Sequence, residues 1–179
     1  MERFLNIIHY KLFVWFKFID KITNYINPFW WIVEIPFVKR FHKKKGIEDF
    51  RKLMDEEVFS HKVTGFNITY AGIVIGSLLG LIIFSLFNLL QVLIQKPLIN
   101  FFWENPIIRI LFVISLCIIP WKICDKLIFN DDKYLKYFQE FEKQSENWKR
   151  KWTWITLSII IGVILIFALS LFLFIKFCP

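Results

Sequence analysis

The sequence predicts an all-α integral membrane protein with three transmembrane helices, an interfacial amphipathic N-terminal helix and short cytoplasmic helices. Three apolar blocks carry this prediction: residues 67–95, 106–124 and 152–176. The chain of 179 residues is 56% hydrophobic and 20% aromatic, which exceeds the usual share in soluble domains. Because a helix needs about 20 apolar residues to cross a hydrocarbon core of about 30 Å, blocks of this length are typical of membrane spans.

The N-terminal region, residues 1–38, predicts an amphipathic helix that lies in the membrane interface. Within residues 4–26, isoleucines and aromatic residues recur on one side of a helix, and polar residues occupy the other. Lysines beside aromatic residues favour the interface, and packing on the protein body is the alternative that stays open. Asn27-Pro28 ends this helix, and the apolar stretch 29–37 is too short to span, so we interpret it as an interfacial or re-entrant anchor.

Residues 39–66 begin with a basic run and continue into a short cytoplasmic helix. The run contains five cations within seven residues: Lys39, Arg40, Lys43, Lys44 and Lys45. Such a run favours a cytoplasmic position, and its cations can also contact anionic lipid or a protein partner. Apolar residues then recur at helical spacing, which predicts a helix that opens at Gly46 and ends near His61.

The first span, residues 67–95, carries a stripe of three glycines at four-residue spacing, namely Gly72, Gly76 and Gly80. Side chains at this spacing share one side of a helix, so the three glycines leave a bare surface on which a second helix can lie closely. Gln91 extends the same side, and two roles are compatible with it: an interhelical hydrogen bond or the lining of a pore. The third span offers the small pair Ser158 and Gly162 as a receiving surface. Packing within the chain and self-association into an oligomer are both compatible with this pattern.

The second span, residues 106–124, begins at a proline that suits the first turn of a helix. Arg109 lies one turn inside this span. We interpret it as an arginine that snorkels to the outer interface, and a functional intramembrane charge is the alternative. Residues 125–151 follow with polar composition and predict a cytoplasmic amphipathic helix that Asn130-Asp131-Asp132 can cap.

The distribution of lysine and arginine predicts the orientation. Residues 1–62 contain twelve and residues 122–151 contain eight, whereas residues 96–105 and the tail after 175 contain one each. Because cytoplasmic loops carry the excess of basic residues, the N terminus is expected in the cytoplasm and the C terminus outside. The expected location is the plasma (inner) membrane.

The sequence contains no motif that would carry catalysis or bind a cofactor or metal. The three histidines, His9, His42 and His61, are far apart and flank the spans. We therefore expect no enzyme and no cofactor. The net charge of +8 comes largely from residues beside the spans, so we interpret it as topology and lipid contact rather than nucleic-acid binding.

Two hypotheses about function follow from these observations. The first is a non-enzymatic subunit or regulator of a membrane complex, which assembles through the glycine stripe as a homo-oligomer or with other subunits. Its basic cytoplasmic face would meet a protein partner or anionic lipid. The second is a homo-oligomeric pore or membrane-permeabilising effector, for example in defence or immunity. An enzyme ranks third.

Overall fold

The prediction of an all-helical chain with three helices able to cross a membrane is confirmed. The computed structural model describes residues 1–63 and 65–178, apart from the side chains at positions 24, 25 and 29. Helices account for 87% of the chain, and the described residues contain no strand. The three helices that are long and apolar enough to span a membrane begin at Phe66, Pro106 and Glu146.

The helices follow one another with short connections. Their bounds are α1 Glu2–Ile26, α2 Phe29–Val33, α3 Pro36–Lys44, α4 Phe50–Leu53, α5 Phe66–Ile94, α6 Leu98–Glu104, α7 Pro106–Cys124, α8 Lys133–Glu142 and α9 Glu146–Phe177. Two π-helical turns, Met54–Phe59 and Asp125–Phe129, follow α4 and α7 directly, and a 3-10 turn, Asn130–Asp132, precedes α8. The apolar helices α5, α7 and α9 contain 29, 19 and 32 residues.

The described residues form two compact units, which are treated separately. The first comprises Met1–Ile8 and the residues from Ile73 onward, and the second is His9–Gly72. Helices α1 and α5 contribute residues to both units. The first unit contains most of α5 together with α6 to α9, so it holds the greater part of the apolar helices.

Helix α1 divides into an enclosed half and an exposed half. All nine residues from Leu5 to Phe13 are buried, including the polar Asn6, His9 and Lys11. An interfacial amphipathic helix would keep its polar side in water, so the first half of α1 differs from the prediction and is enclosed by protein instead. The second half leaves apolar side chains exposed: Val14, Phe18, Ile19, Ile22 and Ile26.

The predicted helix from Gly46 to His61 starts later than expected, because Gly46 belongs to the end of α3. Gly46 has a φ of 79°, in the left-handed region, and its amide donates to the Lys43 carbonyl. Helix α4 begins only after Asp49, whose carboxylate accepts from the Lys52 amide at 3.0 Å. The five cations of the basic run therefore lie on α3 and at its C-terminal cap.

The region after α7 forms two helices where the sequence predicted one across residues 125–151. Asp131 and Asp132 adopt φ values of 57° and 51°, which break the helical path before α8. Helix α8 ends at Glu142, and the Ser145 hydroxyl accepts from the Trp148 amide at 3.3 Å to cap α9. The basic residues 149–151 consequently lie in the first turns of α9 and continue directly into the apolar span.

Candidate helix-packing site and basic surface

Two glycines of the stripe, Gly76 and Gly80, face α7. A Cβ atom added at Gly80 would lie 3.7 Å from the Leu116 carbonyl oxygen and 3.8 Å from Pro120 Cγ. At Gly76 the nearest atom is Cys124 Sγ at 4.0 Å. These are ordinary van der Waals distances, so the site admits a methyl group, but a larger side chain at Gly80 would displace α7.

Aromatic rings extend the contact between α5 and α7 beyond the glycines. Phe87 lies 5.0 Å from Phe112 between ring centroids, and Phe84 lies 6.5 Å from the same ring. Phe102, on the α6 connection, completes the group at 4.8 Å from Phe112. Helices α5 and α7 therefore pack through glycines at one end of the contact and through aromatic rings at the other.

The contact between α5 and α9 uses different residues from the predicted pair. Ser158 is exposed, and a Cβ atom added at Gly162 would meet nothing within 4 Å. The buried face of α9 consists of Thr156, Val163 and Ser170. These recur every seven residues, whereas Ser158 lies on the opposite side of the helix and Gly162 at the flank.

Polar and aromatic contacts join that buried face to α5. The Asn88 amide donates to Ser170 Oγ at 3.4 Å, and the Phe84 and Phe167 ring centroids are 6.0 Å apart. The sequence did not predict this contact, because no spacing rule relates Asn88 to Ser170, 82 residues later.

Gln91 stabilises the connection between the first two spans. Its side chain is buried, and Oε1 accepts from the backbone amide of Ile99 at 2.8 Å in the first turn of α6. The hydrogen bond of Gln91 is therefore formed with α6, in the connection that follows α5. It satisfies one of the amides that a helix N terminus leaves without an intrahelical partner.

The basic run forms an exposed surface on α3, here called the basic surface, which consists of Lys39, Arg40, Lys43, Lys44 and Lys45. All five side chains are exposed. Phe37 and Phe41 border them, with 79% and 51% exposure. His42 is half-buried and stacks on Phe50 with 4.4 Å between ring centroids. The helix is thus anchored through His42, and its exposed cations, of which Lys39 also pairs with Glu34, lie beside aromatic rings.

Arg109 lies exposed in the first turn of α7. Its guanidinium group lies 5.8 Å from the centroid of the Trp103 ring. Cation–π contact with a tryptophan ring stabilises an arginine in the first turn of an apolar helix. Within the described residues, no group of three or more His, Cys, Asp or Glu side chains could hold a metal ion.

A polar cluster joins the first turn of α1 to α8, and sequence reasoning missed it. Arg3 and Glu140 form an ion pair at 2.6 Å, and Glu2 accepts from Lys133 Nζ at 3.3 Å and from the Tyr137 hydroxyl at 3.1 Å. The hydrogen bond from Lys133, followed by that from Tyr137, lowers the pKa of Glu2 against the opposing effect of desolvation. In the sequence, the one pattern that could have predicted this cluster is the helical spacing of residues 133, 137 and 140 on the polar side of α8.

The first unit brings three apolar helices together, because α5 contacts both α7 and α9. The chain matches no protein-family model, no curated protein and no solved structure. Its function is therefore argued from the helix contacts and the exposed surfaces described above.

Proposed function

We propose that the protein is a non-enzymatic subunit or regulator of a membrane complex, located in the plasma (inner) membrane. Its basic surface meets an acidic protein partner or anionic lipid at the cytoplasmic side. The observation that carries this proposal is the exposure of five cations on α3, next to exposed Phe37 and Phe41. Arginine and lysine side chains next to aromatic rings are typical of segments that lie at the membrane interface.

The orientation belongs to the same proposal. The bias of lysine and arginine toward residues 1–62 and 122–151 supports a cytoplasmic N terminus and an external C terminus. In this orientation the basic surface and the start of α5 share the cytoplasmic side. Arg109 and Trp103 then lie near the outer interface.

The exposed half of α1 supports an interfacial position for residues 14–26. Phe18, Ile22 and Ile26 lie along one side of the helix and are 63%, 47% and 73% exposed, while Lys17 and Lys21 lie on the other side. Phe16 lies 6.0 Å from Tyr70 between ring centroids, in the first turns of α5. A helix held at the end of a span with an apolar side exposed is suited to the headgroup boundary.

Of the two uses predicted for the glycine stripe, packing within the chain is the better supported, because Gly80 lies against α7. We therefore propose that the stripe holds the protein's own spans together. Assembly with other subunits then uses the basic surface or the exposed sides of the spans.

The test compares Lys43→Gln/Lys44→Gln/Lys45→Gln with the matched control Lys126→Gln/Lys136→Gln/Lys143→Gln, which removes three exposed lysines elsewhere. Hydrogen exchange of residues 36–44 is measured in nanodiscs with and without phosphatidylglycerol, and the size of the complex is measured after extraction from native membranes. Slower exchange with the acidic lipid, lost in the α3 variant alone, identifies lipid as the partner. A smaller complex for that variant alone identifies a protein partner. If neither readout distinguishes the two variants, the proposal is wrong.

A further inference from the structure

An apolar groove lies between the start of α1 and the start of α9, within the first unit. It has a volume of about 400 Å³ and is lined by Met1, Arg3, Phe4, Ile7, Trp148 and Trp152. The rings of Trp148 and Trp152 are 5.9 Å apart, and Phe4 meets Trp152 edge-on at 6.1 Å. This volume falls within the range of about 300–1,000 Å³ found for small-molecule sites, which are likewise mostly apolar with a few polar groups.

The groove lies where α9 changes from charged to apolar. Residues 149–151 are all basic, and from Trp152 to Ile175 the chain has no charge. On a helix, Lys149 and Lys151 flank the side that carries Trp148 and Trp152, whereas Arg150 lies opposite. In a bilayer this turn is at headgroup level, where tryptophan and lysine side chains concentrate.

The apolar side of the groove continues into the span. Ile155 and Ile159 follow Trp148 and Trp152 on the same side of α9, and both are partly exposed. An acyl chain that enters past the tryptophan rings therefore meets apolar side chains along the helix. Arg3 also lines the groove, with a side chain that is 64% exposed.

We propose that this groove binds one anionic phospholipid. Its phosphate is held by Lys151 and Arg3, and one acyl chain lies along Trp148 and Trp152 toward Ile155. Lysine ammonium and arginine guanidinium groups form charge-assisted hydrogen bonds with phosphate oxygens. Arg3 carries five N–H donors, so its bond to Glu140 leaves it able to bridge the carboxylate and the lipid. The site uses other residues than the basic surface and stands independently of it.

The experiment is native mass spectrometry of the full-length protein in detergent, titrated separately with phosphatidylglycerol and phosphatidylcholine. We expect one phosphatidylglycerol to bind at least about tenfold more tightly than phosphatidylcholine. Lys151→Gln should reduce the affinity for phosphatidylglycerol by about tenfold, because one charge-assisted hydrogen bond to phosphate is lost. Affinity for phosphatidylcholine should change less, because its positive choline group offsets the phosphate charge and is itself repelled by Lys151 and Arg3, so the preference should fall.

The matched controls lie on the same helix. Arg150→Gln removes an adjacent exposed cation from the opposite side of α9, and Trp154→Ala removes a tryptophan that is 64% exposed outside the groove. Trp152→Ala should weaken both lipids by about tenfold, because it removes an aromatic wall that serves either acyl chain. Since Trp152 also contacts Phe4, thermal melting is recorded for each variant, and Lys151→Gln tests the site even if Trp152→Ala unfolds.

Equal losses for Lys151→Gln and Arg150→Gln would overturn the proposal, because they would reveal non-specific attraction to a basic segment. Binding of many lipids with no stoichiometric first site would overturn it as well. Neither result would affect the basic surface, whose variants leave the groove unchanged.

Discussion

His9 shows how burial changes the chemistry of a single residue. It is buried within the second unit, and its Nε2 lies 3.2 Å from the Ile68 carbonyl oxygen at the start of α5. Desolvation disfavours the charged imidazolium and lowers the pKa of His9 to about 4, although the Ile68 carbonyl opposes the shift. In the unfolded chain the same group has a pKa near its usual value of about 6.5.

The first prediction concerns the acid stability that follows from this shift. Between about pH 6.5 and 4 the unfolded state binds a proton at His9 that the folded state does not, so stability falls as the pH falls through this window. From pH 7 to pH 5 we expect a loss of about 2 kcal/mol, measured by thermal or denaturant unfolding in detergent.

The variant His9→Gln provides the comparison, because its amide can still donate to the Ile68 carbonyl and does not titrate. Its loss of stability between pH 7 and pH 5 should be smaller than that of wild type by about the same 2 kcal/mol. An identical pH dependence for the two proteins would show that His9 does not carry the effect.

The second prediction compares two glycines. Gly80→Leu should destabilise the protein by roughly 1–3 kcal/mol, because its side chain must displace Leu116 or Pro120 of α7. Gly162→Leu should be neutral or slightly stabilising, since open space surrounds that position and leucine favours helix over glycine. Thermal melting in detergent measures both, and equal effects would contradict the assigned contact between α5 and α7.

At the scale of elements, the contact of the α1 start with the turn after α7 depends on one buried amide. Asn6 Nδ2 donates to the Leu127 carbonyl at 2.9 Å and to the Glu2 carbonyl at 3.0 Å. Asn6 is fully buried, so its loss leaves the Leu127 carbonyl without this donor. The exposed ion pair of Arg3 and Glu140 is expected to contribute much less, because solvent screens it.

The third prediction is that Asn6→Ala loosens the first two turns of α1. Removing the buried donor should cost about 1–3 kcal/mol and raise hydrogen exchange at residues 2–8. The matched control is Asn147→Ala, which truncates an exposed asparagine near the start of α9. Equal protection in the two variants would mean that Asn6 does not hold α1 in place.

Element boundaries were predictable where local chemistry alone determines them. Pro106 after Asn105 starts α7 as expected, with the Asn105 side chain accepting from the Ile107 amide at 2.9 Å. The burial of α1 was not predictable, because the periodicity of residues 4–26 is the same whether the helix lies on lipid or under other helices. Only the tertiary fold shows that residues 5–13 are enclosed.

At the scale of the whole molecule, the three apolar helices were predictable because their length and composition need no partner to be recognised. Their mutual contacts were not, since small residues occur on more than one side of each helix. The pair Ser158 and Gly162 fitted the spacing rule for helix packing, yet the buried side of α9 is the one with Thr156 and Ser170.

The fourth prediction concerns oligomeric mass. If Gly76 and Gly80 pack within one chain, Gly76→Ile should lower thermal stability and leave the mass in nanodiscs the same as that of wild type. Light scattering or mass photometry gives the mass. A wild-type homo-oligomer that dissociates in this variant would place the stripe between subunits, and an ion-flux assay in liposomes would then test the pore hypothesis.

The burial of Asn67 determines whether this protein can carry an N-linked sugar. Asn67-Ile68-Thr69 is an acceptor sequence for N-linked sugar, and the Asn67 side chain is fully buried in the folded chain. A glycan attached during synthesis would have no room there, so the fold is compatible only with an unmodified Asn67. In a eukaryotic expression host, a glycan on Asn67 of folded protein would contradict this burial and the packing around the start of α5.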